Sequence, residues 1–354
     1  MTVKRVALIT ILFILASGIS AVIFQRLLLP YLSALPVLRD FNILESGAPI
    51  IITRREEIRI DQDINTQEIT NRVRGSLVKI YMHEPKIILG RPVSVTSGMI
   101  ATNDGLVIAS AQAIRGGASI TAVLANGQAH PGRLIFVDEL SGIAFIKIEA
   151  NDLSVLSEVS SQNKRSGETL LALNLDEALG MNVKTVAMSS SSAPKPGFSQ
   201  IYNLTQFNGG LDLDPVFSEN SAGAVIVDKD GSLVGFATAT PSGMKYVRSE
   251  DLRLVMSNFL ASGSRGTAWP VLPISYLILG SAQAPLLGLP ARSGVVIRQG
   301  GRGLEAGDFV FMFDGREITL ENDFQRMFFA KKAGEKIKLK LLRGKQELEL
   351  EITL

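Results

Sequence analysis

A long uncharged apolar run opens the chain, from Val6 to Phe24, with Lys4 and Arg5 just before it. Its length is close to the ~20 residues that a helix needs to cross a bilayer. Ala16-Ser17-Gly18 and Ser20-Ala21 are small enough for signal-peptide processing, but the apolar character continues through Leu27, Leu28 and Leu29. The pattern therefore predicts an uncleaved transmembrane anchor over Val6–Phe24. The basic pair before it predicts a cytoplasmic N-terminus, with everything after it outside the cytoplasmic membrane. From Pro30 to Asp63 periodicity is lost, with Pro30, Pro36, Pro49 and the charged run Arg54-Arg55-Glu56-Glu57. This stretch reads as a spacer.

Beyond the spacer, short β-type runs alternate with turn signals. Ser76–Tyr81, Ser97–Thr102, Leu106–Ser110, Ser119–Leu124, Gly132–Val137 and Ile143–Ile148 form one series, with Asn103-Asp104-Gly105 and Asn126-Gly127 as hairpin turns. Thr169–Leu173, Val183–Ser190, Gln200–Leu204, Gly223–Val227, Leu233–Thr238 and Met244–Val247 form a second, closed by helical spacing over Ser249–Ser257. Two such series predict two packed β-barrels. After a Gly/Ser/Arg linker over Ala261–Thr267, strands such as Gly294–Arg298 and Phe309–Phe313 surround one helix, Leu320–Ala330. Thr319 is its expected N-cap, and Phe324, Met327 and Phe328 are spaced for one buried face. Lys336–Leu342 and Glu347–Leu354 end the pattern as a strand pair. The implied organisation is a stub and anchor over 1–29, a spacer over 30–65, a double barrel over 66–262 and a smaller domain over 263–354.

Composition narrows the chemistry. At 354 residues with 46% apolar content the chain can bury a real core, and a formal net charge of +2 gives no nucleic-acid footprint. The absence of cysteine excludes disulfides, thiolate metal sites and a Cys nucleophile. His83 and His130 are the only histidines, and neither has helical or hairpin spacing to carboxylates, so no metal site and no cofactor is expected. The run Gly300-Gly301-Arg302-Gly303 lacks the following Lys-Ser/Thr of a phosphate loop and reads as a shortened loop.

Three stretches, in order and at the right separations, carry a resemblance. They are Thr96–Ile100 with Asn103–Ser110, then Ala125–Gln128 with Ile143–Ile148, then Asn220-Ser221-Ala222-Gly223-Ala224 with Gly231–Gly235. Together with Ser76–Ile80 they resemble the HtrA/Deg family of trypsin-like serine proteases. Gly294–Ile297, Ala306-Gly307-Asp308 and Asp314–Ile318 resemble a bacterial PDZ domain. The resemblance implies a mainly β protein: a chymotrypsin-like double β-barrel followed by a PDZ domain, here behind a transmembrane helix. Family members are commonly trimers built from contacts near the start of the protease domain, so a homotrimer is implied as well.

The family's mechanism needs a Ser made nucleophilic by a His base, which an Asp orients. The resemblance puts Ser221 at the nucleophile position, Gln112 at the His position and Gly142 at the Asp position. Gln has no titratable nitrogen, and Gly142 leaves nothing to orient a base. Two residues before the nucleophile, where the family has Gly, stands Glu219, followed by Asn220. A carboxylate in this oxyanion loop opposes a developing negative charge. His83 and His130 fall away from the nucleophile loop, Asp212 and Asp214 read as turn residues, and the resemblance brings no Lys near Ser221.

PDZ domains take a C-terminal peptide as an added strand, its carboxylate held by backbone N–H groups. By resemblance that loop is Tyr276-Leu277-Ile278-Leu279, with Phe324 and Phe328 on the other wall and Ile278 where the family often has Gly. The expected function is a membrane-anchored, extracytoplasmic pseudoprotease, a scaffold, chaperone or sensor in protein quality control that binds unfolded proteins or C-terminal peptides. The alternatives are an active endopeptidase with another base, and a regulatory subunit of an intact paralogue.

Overall fold

The computed structural model describes residues 3–24, 57–83, 94–114, 117–190, 196–205, 207, 210–218, 221–240, 243–263, 266, 269–319 and 323–354, the side chains of 3–8, 22, 57–65 and 163 excepted. The chain falls into two compact units, Met1–Arg59 and Ile60–Leu354. In the first, α1 (Val3–Ile23) has its described side chains from Ile9 to Ala21 exposed. Among the described residues no helix is long and apolar enough to cross a membrane. The expected span over Val6–Phe24 is therefore not supported.

A helix the sequence pattern did not predict, α2 (Glu57–Arg74), overlaps the end of the expected spacer. Its Ile69 and Val73, four residues apart, are buried and share a core with Leu77. Then come β1 (Leu77–His83), β2 (Ser94–Ile100), β3 (Leu106–Ser110), β4 (Ser119–Leu124), β5 (Ala129–Asp138) and β6 (Ile143–Ile148). They close a barrel in the order β1-β2-β3-β6-β5-β4. Val78, Ile80, Met82, Val107, Ala109 and Ile146 fill its interior. The alternating residues Leu77, Met99, Ile108 and Phe145 belong to a different core cluster, together with Leu173 and Val225 of the second sheet. Burial on both faces is why β3 and β6 read as continuous apolar runs rather than alternating ones.

The second sheet comprises β7 (Thr169–Leu175), β8 (Met181–Ser190), β10 (Asp212–Asp214), β11 (Val225–Val227), β12 (Leu233–Thr240) and β13 (Gly243–Arg248), ordered β10-β8-β7-β11-β12-β13. Lys79 ties the first barrel to it, its buried Nζ donating to the Leu175 carbonyl at 2.8 Å. Burial pulls the Lys79 pKa down, with Glu177 and Asp176 opposing. Helix α3 (Ser249–Ala261) closes the domain, and its Phe259 stacks on Phe145 with centroids 4.2 Å apart.

The third sheet comprises β14 (Ser275–Leu279), β15 (Gly294–Gln299), β16 (Phe309–Phe313), β17 (Arg316–Glu317), β18 (Lys336–Arg343) and β19 (Gln346–Thr353). It also takes β9 (Tyr202–Asn203) from the second domain, giving the order β19-β18-β16-β15-β14-β9 with β17 beside β16. Its helix α4 (Phe324–Phe329) is capped by Asp323, whose carboxylate accepts the Arg326 N–H at 2.8 Å. Asp323 thus takes the N-cap role expected of Thr319, and the described helix is shorter than Leu320–Ala330, of which Leu320–Asn322 lie outside the described residues. Phe329 of α4 packs on Phe207 and Trp269, with centroids 4.7 and 5.5 Å apart. One continuous core therefore runs from the protease-like sheets into the last domain.

On β13, Lys245 donates to the Phe207 carbonyl. Desolvation by burial pulls its pKa down to about 8 from the ordinary 10.5, with Asp251 opposing. The folded value lies below the unfolded one, so between them the unfolded chain binds more protons and stability rises with pH. Chemical denaturation of the wild type is expected to gain about 1–2 kcal/mol between pH 8 and 9.5 relative to Lys245→Met. Equal pH slopes in the two proteins would refute this assignment.

Candidate functional site

The His and Asp positions come together at the seam between the barrel and the second sheet. β3 ends at Ser110 and passes into a 3-10 turn, Ala111–Ala113, which carries Gln112. The Ala111 N–H donates to the Gly142 carbonyl at 2.9 Å, placing the turn against the start of β6. Thr238 of β12 completes the seam. Its Oγ1 donates to the same Gly142 carbonyl at 2.8 Å and lies 3.0 Å from Ser110 Oγ, which accepts the Ala239 N–H. The scaffold that would hold a base against an acid is therefore intact, but Gln112 is exposed and Gly142 contributes only backbone.

Gly142 has φ +75°, the left-handed region that Gly enters without strain. A carboxylate four residues upstream, Asp138, does not replace the missing acid. It is buried and committed elsewhere, accepting from Ser141 Oγ at 2.5 Å and from Trp269 Nε1 at 2.8 Å. Asp138 thus pins the linker to the barrel.

Ser221 is buried, at 5% exposure. The Gly223 turn after it fixes its place. Gly223 has φ +88°, its N–H donates to the Ala237 carbonyl at 2.7 Å, and any Cβ there would overlap the Ser97 carbonyl oxygen. The Ser221 N–H, one of the two donors that a trypsin-like oxyanion hole uses, instead donates to the Ser218 carbonyl at 2.9 Å. Glu219 and Asn220 lie outside the described residues.

The structure brings to Ser221 a residue that sequence reasoning missed. Lys184 Nζ of β8 donates to Ser221 Oγ at 3.3 Å and lies 5.3 Å from the Phe217 ring centroid. The signal was in the alternation of β8, where Lys184 shares a face with the buried Val186 and Met188. A lysine at an inward position of a strand needs a polar partner, and Ser221 is that partner. Of the other candidates, His130 lies on β5 with Nδ1 3.1 Å from the Glu149 carbonyl, and His83 ends β1. Asp212 and Asp214 lie on β10 rather than in a turn. Among the described residues no group of His, Cys, Asp and Glu could hold a metal ion.

In the last domain, Tyr276–Leu279 forms a buried strand, β14, rather than a loop. Its register pairs Tyr276 with Ile297 of β15 on one side and with Tyr202 of β9 on the other. The reason is the apolar content of the segment: four buried side chains in a row suit a strand covered on both faces. Phe324 and Phe328 face inward from α4, both fully buried, with Phe324 5.2 Å from Tyr276 by ring centroid.

Known proteins share this arrangement. A trypsin-like peptidase domain family model matches residues 96–236, and a PDZ domain family model matches residues 291–354. A "Probable periplasmic serine endoprotease DegP-like" of Pseudomonas fulva is 24% identical over 264 residues, 71% of this chain and 53% of that protein. "Serine protease HTRA1" of Xenopus tropicalis is 24% identical over 281 residues, 74% of this chain and 60% of that protein. The chain thus spans little more than half the length of the curated relatives it matches. Among solved structures, "HtrA-type protease AlgW with tripeptide" superimposes with a TM-score of 0.62 at 21% identity, covering 81% of this chain and 95% of that one. A serine endoprotease from Yersinia pestis does so with a TM-score of 0.52 at 18% identity, covering 81% and 96%. This chain therefore has the fold and domain order of the HtrA/DegP-type proteases, a trypsin-like peptidase domain followed by a PDZ domain.

Proposed function

We propose that this protein is a non-hydrolytic member of that architecture, a peptide- or protein-binding scaffold, chaperone or sensor working outside the cytoplasm. The observation that carries this reading is the state of Ser221. Its N–H is bonded to Ser218 instead of facing a substrate oxyanion, and the His and Asp positions hold Gln112 and Gly142. Loss of triad members removes several powers of ten in rate, leaving only what binding and the oxyanion hole supply. Here one oxyanion donor is also engaged. The periplasmic relatives support residence outside the cytoplasm, and the PDZ domain supports recognition of extended peptides.

One observation favours the alternative of an endopeptidase with a different base, namely Lys184 Nζ at 3.3 Å from Ser221 Oγ. A neutral amine there would accept the Ser221 proton as Oγ attacks a carbonyl carbon, and would return it to the leaving amine. The same Nζ lies 5.3 Å from the Phe217 ring centroid. A fluorophosphonate probe decides between the readings. In the reaction Ser221 Oγ bonds to phosphorus and fluoride leaves. The full chain is expected to stay unlabelled and to leave unfolded casein intact. Labelling that disappears in both Ser221→Ala and Lys184→Met would establish a Ser–Lys enzyme instead.

A further inference from the structure

The last strand of the third sheet has an open edge. β19 ends the strand order and, among the described residues, pairs with β18 alone. The Leu354 N–H donates to the Glu335 carbonyl at 2.9 Å and the Leu354 carbonyl accepts the Gly334 N–H at 2.8 Å, so Leu354 turns both main-chain groups toward the β18 side. Main-chain direction alternates along an antiparallel strand. Ile352, Leu350 and Leu348 therefore bond to β18, while Thr353, Glu351, Glu349 and Glu347 turn their N–H and C=O groups outward. Arg302 agrees with this direction, because its guanidinium donates to the Thr353 carbonyl. Among the described residues, nothing bonds the main chain of Glu347, Glu349 or Glu351 on that side. Such an edge is a template for a further strand.

Both faces of β19 say what that strand would be. On one, Glu347, Glu349 and Glu351 lie opposite Leu342, Lys340 and Lys338 of β18. Glu351 is ion-paired to Lys336 at 2.7 Å, whereas Glu347 and Glu349 have no ion pair among the described residues. On the other face Leu348 and Leu350 are half-buried, and the short Gly300–Gly303 loop meets Leu350 through Gly303, which brings no side chain to cover it. A second copy of β19 does not fit. Pairing the outward residues of two antiparallel copies sets glutamate against glutamate at the centre of the contact, and like charges directly opposite destabilise. β18 shows what does fit, with Lys336, Lys338 and Lys340 alternating with Ile337, Leu339 and Leu341.

We propose that the open edge of β19 binds an extended segment of another protein chain in which Lys or Arg alternates with apolar residues. The segment adds as an antiparallel strand, its basic side chains facing Glu347, Glu349 and Glu351 and its apolar ones covering Leu348 and Leu350. Its main chain supplies hydrogen-bond partners for the outward groups of the three glutamates. The site lies at the far end of the strand order from β14, so it goes beyond recognition of C-terminal peptides and does not depend on it.

The probe is a fluorescein-labelled peptide of alternating lysine and valine, read by anisotropy on the full chain. Its C-terminus is amidated, so that it offers no carboxylate to a PDZ groove. The wild type is expected to bind it. Glu347→Gln/Glu349→Gln, which removes two exposed charges and no packing, is expected to weaken binding about tenfold. A second peptide, methylated on the main-chain nitrogens of its lysines, keeps every charge but loses the donors that face the β19 carbonyls. It is expected to bind at least about tenfold more weakly than the first. No binding of the first peptide by the wild type overturns the proposal. Equal binding of the two peptides reduces the contact to charge attraction and overturns it as well. Binding that the glutamine pair leaves unchanged puts the peptide at another site, with the same consequence. An oligomer of the wild-type chain that the peptide disperses in sedimentation velocity would give the edge to a second copy, and so overturn the choice of partner.

Discussion

Gln112→His, introduced alone, is expected to leave casein turnover indistinguishable from that of a Ser221→Ala control. The turn Ala111–Ala113 would carry the imidazole to the seam beside Gly142, because the Ala111–Gly142 and Ser110–Thr238 bonds that position it are already made. Two deficits remain. No carboxylate fixes the tautomer of the new imidazole, and loss of that group alone costs about 10⁴ in rate in a serine protease. The Ser221 N–H also stays with Ser218, and one lost oxyanion donor costs about 10²–10³. The triple change Gln112→His/Gly142→Asp/Glu219→Gly is expected to exceed the single one by at least about 10³, while staying well below an intact triad. The shortfall has a structural cause. Aspartate at position 142 must adopt φ +75°, and its Cβ would lie 3.3 Å from Thr238 Oγ1. That is tight but tolerable for Asp, which visits the left-handed region more readily than most residues. If the single change matched the triple in kcat/KM, the reading of Gly142 and of the oxyanion loop would be wrong.

What the sequence made legible followed from alternation and turn chemistry. Leu106–Ser110, Ser119–Leu124, Ile143–Ile148 and Phe309–Phe313 are strands with the bounds their patterns implied, because each apolar run ends at a turn signal. Patterning failed where long-range partners decide the structure. Helix α2 was hidden by its polar composition, since only Ile69 and Val73 of its described residues are buried, and both face a barrel whose existence is not local information. β14 was read as a loop through a motif, although four consecutive apolar side chains marked a strand buried on both faces. β9 is two residues long and belongs to a sheet of another domain, which no local signal announces.

The candidate site divides in the same way. Gln112, Gly142 and Ser221 were assigned to the site by motif order alone. The Lys184–Ser221 contact joins residues 37 positions apart on β8 and the nucleophile loop, and so needed the fold. The engaged Ser221 N–H was equally out of reach, because a backbone hydrogen bond to Ser218 leaves no trace in side-chain identity.

Arg248→Met is expected to destabilise the protein by about 3–5 kcal/mol and to loosen the PDZ domain from the protease-like domain. Arg248 ends β13 and is 3% exposed. Its guanidinium donates to both Asp251 oxygens, at 2.7 and 3.2 Å, and to Asp323 of the PDZ domain at 3.4 Å. Burial alone would pull the Arg248 pKa down, but Asp251 and Asp323 outweigh it and push it up. Burial likewise raises Asp323, with Arg248 opposing. Methionine fills a similar volume and leaves two buried carboxylates without their cation, and the uncompensated charge is the source of the cost. Asp323→Asn keeps an N-cap for α4 and removes only its charge, so it is expected to cost less. In the double variant the two effects fall short of additive by about 1–3 kcal/mol, because one interaction is counted in both single changes. Urea denaturation followed by Trp269 fluorescence reads this directly, since the indole sits at the domain junction between Phe207 and Phe329. Additive single effects would mean that Arg248 stabilises only its own domain through Asp251, and that the aromatic packing of α4 alone holds the PDZ domain in place.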